Sequence, residues 1–241
     1  MLRNTRAVLF DLDDTLIDFT GNQTWAWSEA CRWASDRLGG LEPEPFADVI
    51  RATGAWYWSD ADRHRAGRRD LRAASAEIVR LAFARAGVAP ADADTPRVLA
   101  HHFRDLREAG VALVPGAVEL LEALRTRGCA LALVTNGTAA DQHKKIDQFA
   151  LAPHFDHLQI EGEFGAGKPD ASVYAAALRA LDVSAGEATF VGDHLEWDVG
   201  APLRLGMQAV WVDVAGDGLP ARHAARPRRV IRSVAELHDE L

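Results

Sequence analysis

Cysteine and lysine are both scarce in this 241-residue chain. Cys31 and Cys129 are its only cysteines. They lie far apart and without metal-ligand spacing, which excludes a disulfide framework and suits a reducing compartment. No apolar run reaches the roughly 18 residues a membrane helix needs, and Met1 to Arg6 lack the apolar segment of a secretory leader. These absences predict a cytoplasmic protein that engages no membrane. Basic charge is short as well: 27 Lys and Arg face 35 Asp and Glu, for a formal charge of −8. That balance argues against nucleic acid as a partner. The lysines number three, Lys144, Lys145 and Lys168, so each is conspicuous.

What is present is enough apolar material, 48%, for one large α/β domain or a core domain with an insert. From about Val114 onward, helix-like and strand-like segments alternate. Strand-like runs end at Val134, Ile160, Val191 and Val212, and a last run, Arg229 to Arg232, is expected at a sheet edge. Such alternation predicts a parallel sheet covered on both faces. Between Asp18 and Leu113 no strand-like run stands out. Helical stretches are expected over Trp25–Leu38, Pro45–Trp58, Leu71–Ala86 and Pro96–Glu108, punctuated by Gly39-Gly40, Gly87 and Gly110. The chain therefore divides into an α/β core, residues 1–18 and 113–241, and a helical segment, 19–112.

Four acids gather at two strand ends. Ala7–Phe10 opens into Asp11-Leu12-Asp13-Asp14-Thr15, and Ala188–Val191 opens into Gly192-Asp193, with Asp198 five residues on. Anions crowded at strand tips raise one another's pKa, an objection that a divalent cation removes. A carboxylate at Asp11, outside the carboxyl end of a strand, can attack phosphorus and form an aspartyl-phosphate. Asp13 can then protonate the leaving oxygen and activate water. Mg²⁺ prefers oxygen ligands of the kind Asp11 and Asp193 offer. Thr135-Asn136, at another strand end, supplies a hydroxyl and backbone N–H groups suited to phosphate. Lys168, in the Gly-rich stretch Gly165–Asp170, could offset the acids. Each feature also has a plainer reading: turn chemistry for Asp13-Asp14-Thr15 and Thr135-Asn136-Gly137, a first-turn helix acid for Asp198, a solvated loop lysine for Lys168.

Taken in order, Asp11-x-Asp13-x-Thr15, Thr135 after an apolar strand, Lys168-Pro169 and Gly192-Asp193-x₄-Asp198 resemble the four motifs of the haloacid dehalogenase-like superfamily. The likeness covers the whole core. It implies a Rossmann-like parallel-sheet fold, with a four-helix cap of the C1 type inserted after the first strand. It also implies Asp11 as nucleophile, Asp13 as general acid and base, and Thr135 and Lys168 on phosphate. Mg²⁺ would sit on Asp11, the Asp13 carbonyl and Asp193, with Thr15 and Asp198 in support.

Within the family, Asp13 separates the chemistries. Dehalogenases lack an acid two residues past the nucleophile, since a departing halide needs no proton, whereas an alkoxide does. The expected activity is a Mg²⁺-dependent phosphatase working through an aspartyl-phosphate. A phosphomutase, which commonly has Asp-Gly where this chain has Asp14-Thr15, a 2-haloacid dehalogenase and a non-catalytic phosphate-ligand protein stand behind it. The loops Phe10–Ile17 and Val191–Gly200 look most like the branch containing N-acylneuraminate-9-phosphatase and pyrimidine 5′-nucleotidases. The partner expected is a small phosphorylated substrate, a sugar phosphate or nucleoside monophosphate, acted on by a monomer or homodimer. His194 departs from the small polar residue usual in relatives and could perturb metal or leaving-group contacts, and Ala171 stands where they usually have proline.

In the helical segment, Trp25, Trp27, Trp33, Trp56, Tyr57 and Trp58 either join helices or form an aromatic wall for a substrate ring. The run Arg63, His64, Arg65, Arg68, Arg69, Arg72 is either a solvated face or a clamp for an acidic group.

Overall fold

The computed structural model of the protein describes residues 5–221 and 224–238. Residues 1–4, read above for a leader, lie outside the described residues. The chain opens with β1 (Ala7–Phe10) and β2 (Ile17–Asp18). Five helices follow: α1 (Gln23–Trp33), α2 (Pro43–Trp58), α3 (Ala61–Gly67), α4 (Leu71–Ala86) and α5 (Thr95–Ala109). The alternating part then runs through β3 (Ala112–Leu113), α6 (Ala117–Thr126), β4 (Ala130–Thr135), α7 (Ala139–Gln148), β5 (His157–Ile160) and α8 (Glu161–Phe164). It continues with α9 (Ala171–Ala180), β6 (Ala188–Gly192), α10 (Ala201–Arg204), β7 (Gln208–Val212), β8 (Arg229–Ile231) and α11 (Ala235–His238).

Four apolar residues in succession give β1 no polar face, so it is stable only with both faces covered. It lies inside a parallel six-stranded sheet of order β5-β4-β1-β6-β7-β8, and all four of its residues are fully buried. The strand order reverses at β1, where Phe10 pairs with Leu133 of β4 on one side and Val191 of β6 on the other. In open α/β sheets a reversal of this kind leaves a crevice at the carboxyl ends of the strands. The residues that follow β1, β4 and β6 emerge there. β8, the run expected at an edge, is the edge strand beside β7.

By contacts the chain forms two compact units, Met1–Asp18 with Ala112–Leu241, and Phe19–Val111. In the first, β2 and β3 form a short antiparallel ribbon, Ile17 with Leu113 and Asp18 with Ala112. Ala112, expected in the helical segment, thus belongs to the α/β unit because its backbone pairs there. Two-residue strands carry no periodic signal, so neither was legible in the sequence.

The second unit is built from α1 to α5 around Trp27, Phe46, Ile50, Phe83, Leu99 and Phe103. Burial of each such side chain contributes about 1.5–3 kcal/mol. Trp27 stacks on Phe103 with ring centroids 3.4 Å apart. A fifth helix, α3, joins the four expected. Seven residues are too few to display a helical period, but its start is marked by Asp60, whose side chain accepts the Arg63 N–H at 2.9 Å.

Candidate active site

The turn after β1 is fixed by its own backbone. Leu12 O accepts N–H bonds from Leu16 and Ile17 at 2.9 and 3.1 Å, and Asp14 N–H donates to Ile17 O at 2.7 Å. Asp14 holds φ at 60°, a left-handed conformation that Asp tolerates better than most residues. Leu12 is fully buried, with an acid on either side of it in sequence. Thr15 is also fully buried, and its hydroxyl has no hydrogen-bond partner in the protein.

At the other strand end, a Cβ on Gly192 would fall 2.4 Å from the Asp198 carboxyl, so only glycine admits that side chain. His194 Nδ1 accepts the N–H groups of Glu196 and Trp197, capping the helical turn that carries Asp198, and its ring stacks on Trp197. The departure noted at His194 is thereby a helix cap built from a side chain that usually serves elsewhere.

These backbones bring together one carboxylate oxygen each from Asp11, Asp193 and Asp198, all within 4.8 Å of one another. Lys168, only 1% exposed, reaches into the group: its Nζ donates to Asp11 Oδ1 and Asp198 Oδ1, each at 2.7 Å. Asp198 Oδ2 takes the His194 N–H at 3.0 Å, so Asp198 is fully engaged in holding Lys168 and its own loop.

Three carboxylates against one ammonium leave a surplus of two negative charges, the charge of one divalent ion. The acids register that surplus. Burial first, then Asp11 and Asp198, push Asp193 up to about 9. Burial, opposed by Lys168 and reinforced by Asp198, raises Asp11 to about 7. Burial pulls on Lys168 in the opposite sense, but Asp11 and Asp198 outweigh it and hold the ammonium above its ordinary range. The hard oxygen donors, their closeness and the uncompensated charge all fit Mg²⁺. At about 100 times its dissociation constant, Mg²⁺ is expected to raise Tm by about 5–10 °C, by mass action on the folded state. Asp193→Asn removes a buried acid that must take up a proton to fold without the ion, so it should raise the metal-free Tm and abolish the response to Mg²⁺. Scanning calorimetry with EDTA and with Mg²⁺ checks both, and a variant that still responds would free Asp193 from the metal.

Asp13 is held apart from this cluster. Lys145 Nζ lies 2.7 Å from both of its carboxylate oxygens, and Gln142 Nε2 lies 3.2 Å from Oδ2. Gln142 also donates to Thr135 Oγ1 at 2.9 Å. Thr135, the expected phosphate hydroxyl, is thus buried at the strand end beside Asp13's partners. Asn136, expected to offer its backbone N–H to phosphate, has a separate task for its side chain. Its amide clasps the Lys168 backbone, Oδ1 accepting the Lys168 N–H at 2.7 Å and Nδ2 donating to the Lys168 carbonyl at 2.9 Å. Both amide atoms being used, its side chain aims Lys168, and only its backbone is left for an anion.

Sequence reasoning missed Gln142 and Lys145. The available signals were the rarity of lysine and a spacing of three on one helix, which puts both on one face.

Within the helical unit the aromatic residues divide. Trp27 is core, Trp33 stacks on His102, and Trp56 carries the Arg63 guanidinium 3.9 Å from its ring centre. Of the basic run, Arg65 pairs with Asp62 and Arg72 with Asp105. Arg68 lines a cavity of about 260 Å³ inside this unit, together with Trp58, Phe103, Arg104 and Arg107. Arg104 and Arg107 come from α5, far from the run that drew attention in the sequence, and both are buried.

Acids facing a buried lysine at the switch point of a parallel sheet mark a candidate hydrolase site on an α/β fold. The chain belongs to the haloacid dehalogenase-like hydrolase family, whose model matches residues 5–206. It is 35% identical over 230 residues to the phosphoserine phosphatase of Thermus thermophilus, covering 86% of this chain and 88% of that one. It is 26% identical over 254 residues to the N-acylneuraminate-9-phosphatase of Rattus norvegicus, covering 98% and 93%. In fold it is similar to the solved HAD-hydrolase YfnB of Bacillus subtilis bound to magnesium, with a TM-score of 0.74, 23% identity and 98% of each chain covered. Among the described residues no helix is long and apolar enough to cross a membrane.

Proposed function

We propose that the protein is a Mg²⁺-dependent phosphatase that hydrolyses small phosphate monoesters through an aspartyl-phosphate on Asp11. The observation that carries this reading is the division of labour between two acids two residues apart. Asp11 is pinned by Lys168 within the acid cluster, while Asp13 is held outside it by Lys145 and Gln142.

Asp11 and Asp193, with the Asp13 carbonyl, would hold Mg²⁺, which when bound neutralises charge on the phosphoryl oxygens. In the first step an Asp11 oxygen bonds to phosphorus as the ester P–O bond breaks, and the leaving oxygen takes a proton from Asp13. In the second, water attacks the phospho-Asp11, giving its proton back to Asp13, and the aspartyl P–O bond breaks to release inorganic phosphate. Lys168 keeps Asp11 oriented and offsets negative charge as it builds on phosphorus. The Thr135 hydroxyl and backbone N–H groups at the start of α7 bind the remaining phosphoryl oxygens. Two free cysteines support a reducing, cytoplasmic setting.

Hydrolysis of p-nitrophenyl phosphate tests the reading. It should proceed with Mg²⁺ and fall by at least about 100-fold in EDTA, as expected when several kcal/mol of charge stabilisation are withdrawn. Halide release from 2-haloacids, insensitive to EDTA, would replace the phosphatase reading with a dehalogenase.

A further inference from the structure

The acid proposed to protonate the leaving group and the hydroxyl proposed to bind phosphate come from segments more than 120 residues apart, and α7 joins them. Thr138 caps α7, its hydroxyl accepting the Asp141 N–H at 3.2 Å, which fixes the helix start three residues past Thr135. On the inward face, Gln142 and Lys145 are 2% and 8% exposed. Gln142 gives its amide hydrogens to Asp13, Thr135 and the Asn136 carbonyl, while its Oε1 is buried without a hydrogen-bond partner. An unsatisfied buried acceptor costs about 1–3 kcal/mol, which a residue serving only to fasten a helix has no reason to carry. Lys145 meets both Asp13 oxygens squarely. A partly buried ion pair adds little net stability, so fastening alone does not account for it either.

We infer that Gln142 and Lys145 are positioning residues of the reaction, holding the Asp13 carboxyl at one place relative to Thr135 so that leaving-group protonation is aligned with the bound phosphoryl group. The inference rests on the phosphatase reading above. Both residues act through Asp13.

This role has a kinetic signature. The value of kcat/KM reports events up to formation of the phospho-enzyme, where the proton from Asp13 matters most for a poor leaving group. A series of substituted phenyl phosphates, from p-nitrophenyl to p-methoxyphenyl, spans that need with nearly constant shape. Lys145→Met is expected to steepen the dependence, widening the p-nitrophenyl to p-methoxyphenyl ratio of kcat/KM at least about tenfold, a fraction of the 10²–10⁴ that general acid catalysis supplies. Lys145→Arg should restore most of the ratio. In an Asp13→Asn background Lys145→Met should widen it no further, the non-additivity expected of two residues that act as one.

An equal loss along the whole series, or additive effects with Asp13→Asn, would overturn the inference. If Lys145→Met does not fold, Gln142→Met withdraws the second tether and is expected to steepen the same plot, and a parallel line there is equally fatal. A wild type inert toward every ester in the series would instead remove the phosphatase reading itself.

Discussion

Asp11→Asn should lose turnover by roughly 10⁴–10⁶-fold, the scale seen when a nucleophile is deleted from a site that acts as a unit. The substitution keeps size and shape, so packing around the fully buried β1 is preserved. What it removes is an oxygen able to bond to phosphorus and one of the three negative charges that meet at the strand ends. The two losses separate experimentally. Nucleophile loss abolishes incorporation of phosphate into the protein, read as the absence of the phospho-adduct by mass spectrometry of acid-quenched enzyme. Charge loss weakens Mg²⁺ binding, read from the metal-induced rise in Tm. A variant that retained more than about a hundredth of wild-type kcat with Mg²⁺ saturating would dismiss Asp11 as the attacking group.

Lys168→Met carries the second large effect, and it falls on stability as well as rate. The ammonium is almost fully buried between Asp11 and Asp198 and lies 5.0 Å from the Phe190 ring centre. Methionine fills nearly the same volume but leaves two buried carboxylates facing each other. Breaking such a group by deleting one partner costs about 3–5 kcal/mol. The loop itself should hold, because Asn136 grips the backbone of residue 168 and not its side chain. Urea unfolding in EDTA is expected to show the full loss, and Mg²⁺ would recover part of it by supplying positive charge to the acids. Turnover should fall about 10²–10³-fold, the range for removing one preorganised electrostatic contact. Stability within about 1 kcal/mol of wild type would mean that the acids do not depend on Lys168.

The strands and the acids at their ends were legible because apolar runs such as Ala7–Phe10 and Ala188–Val191 have few alternatives to burial in a parallel sheet. Lys168 and Asp198 were legible as candidates, but spacing could not tell a buried bridge from two solvated side chains. Only the backbone around Gly192 and Asn136 decides that. Gln142 and Lys145 were hidden for a related reason. On α7, Ala139–Gln148, they sit among polar neighbours, and a buried polar residue there is indistinguishable in sequence from a wet one. Arg104 and Arg107 were masked in the same way by the charged face of α5. The clasp of the Asn136 amide on the Lys168 backbone was hidden too, because the two residues lie 32 positions apart and no spacing rule joins them.

The rarity of lysine has a practical side. Lys144 is exposed, while Lys145 and Lys168, its only companions, are both buried and ion-paired with the acids at the strand ends. Amine-directed reagents therefore meet one lysine side chain on the native surface and two behind it that become reactive only when those acids let go. The chain thus carries an intrinsic chemical gauge of its strand-end acid cluster, with Lys144 as the internal reference.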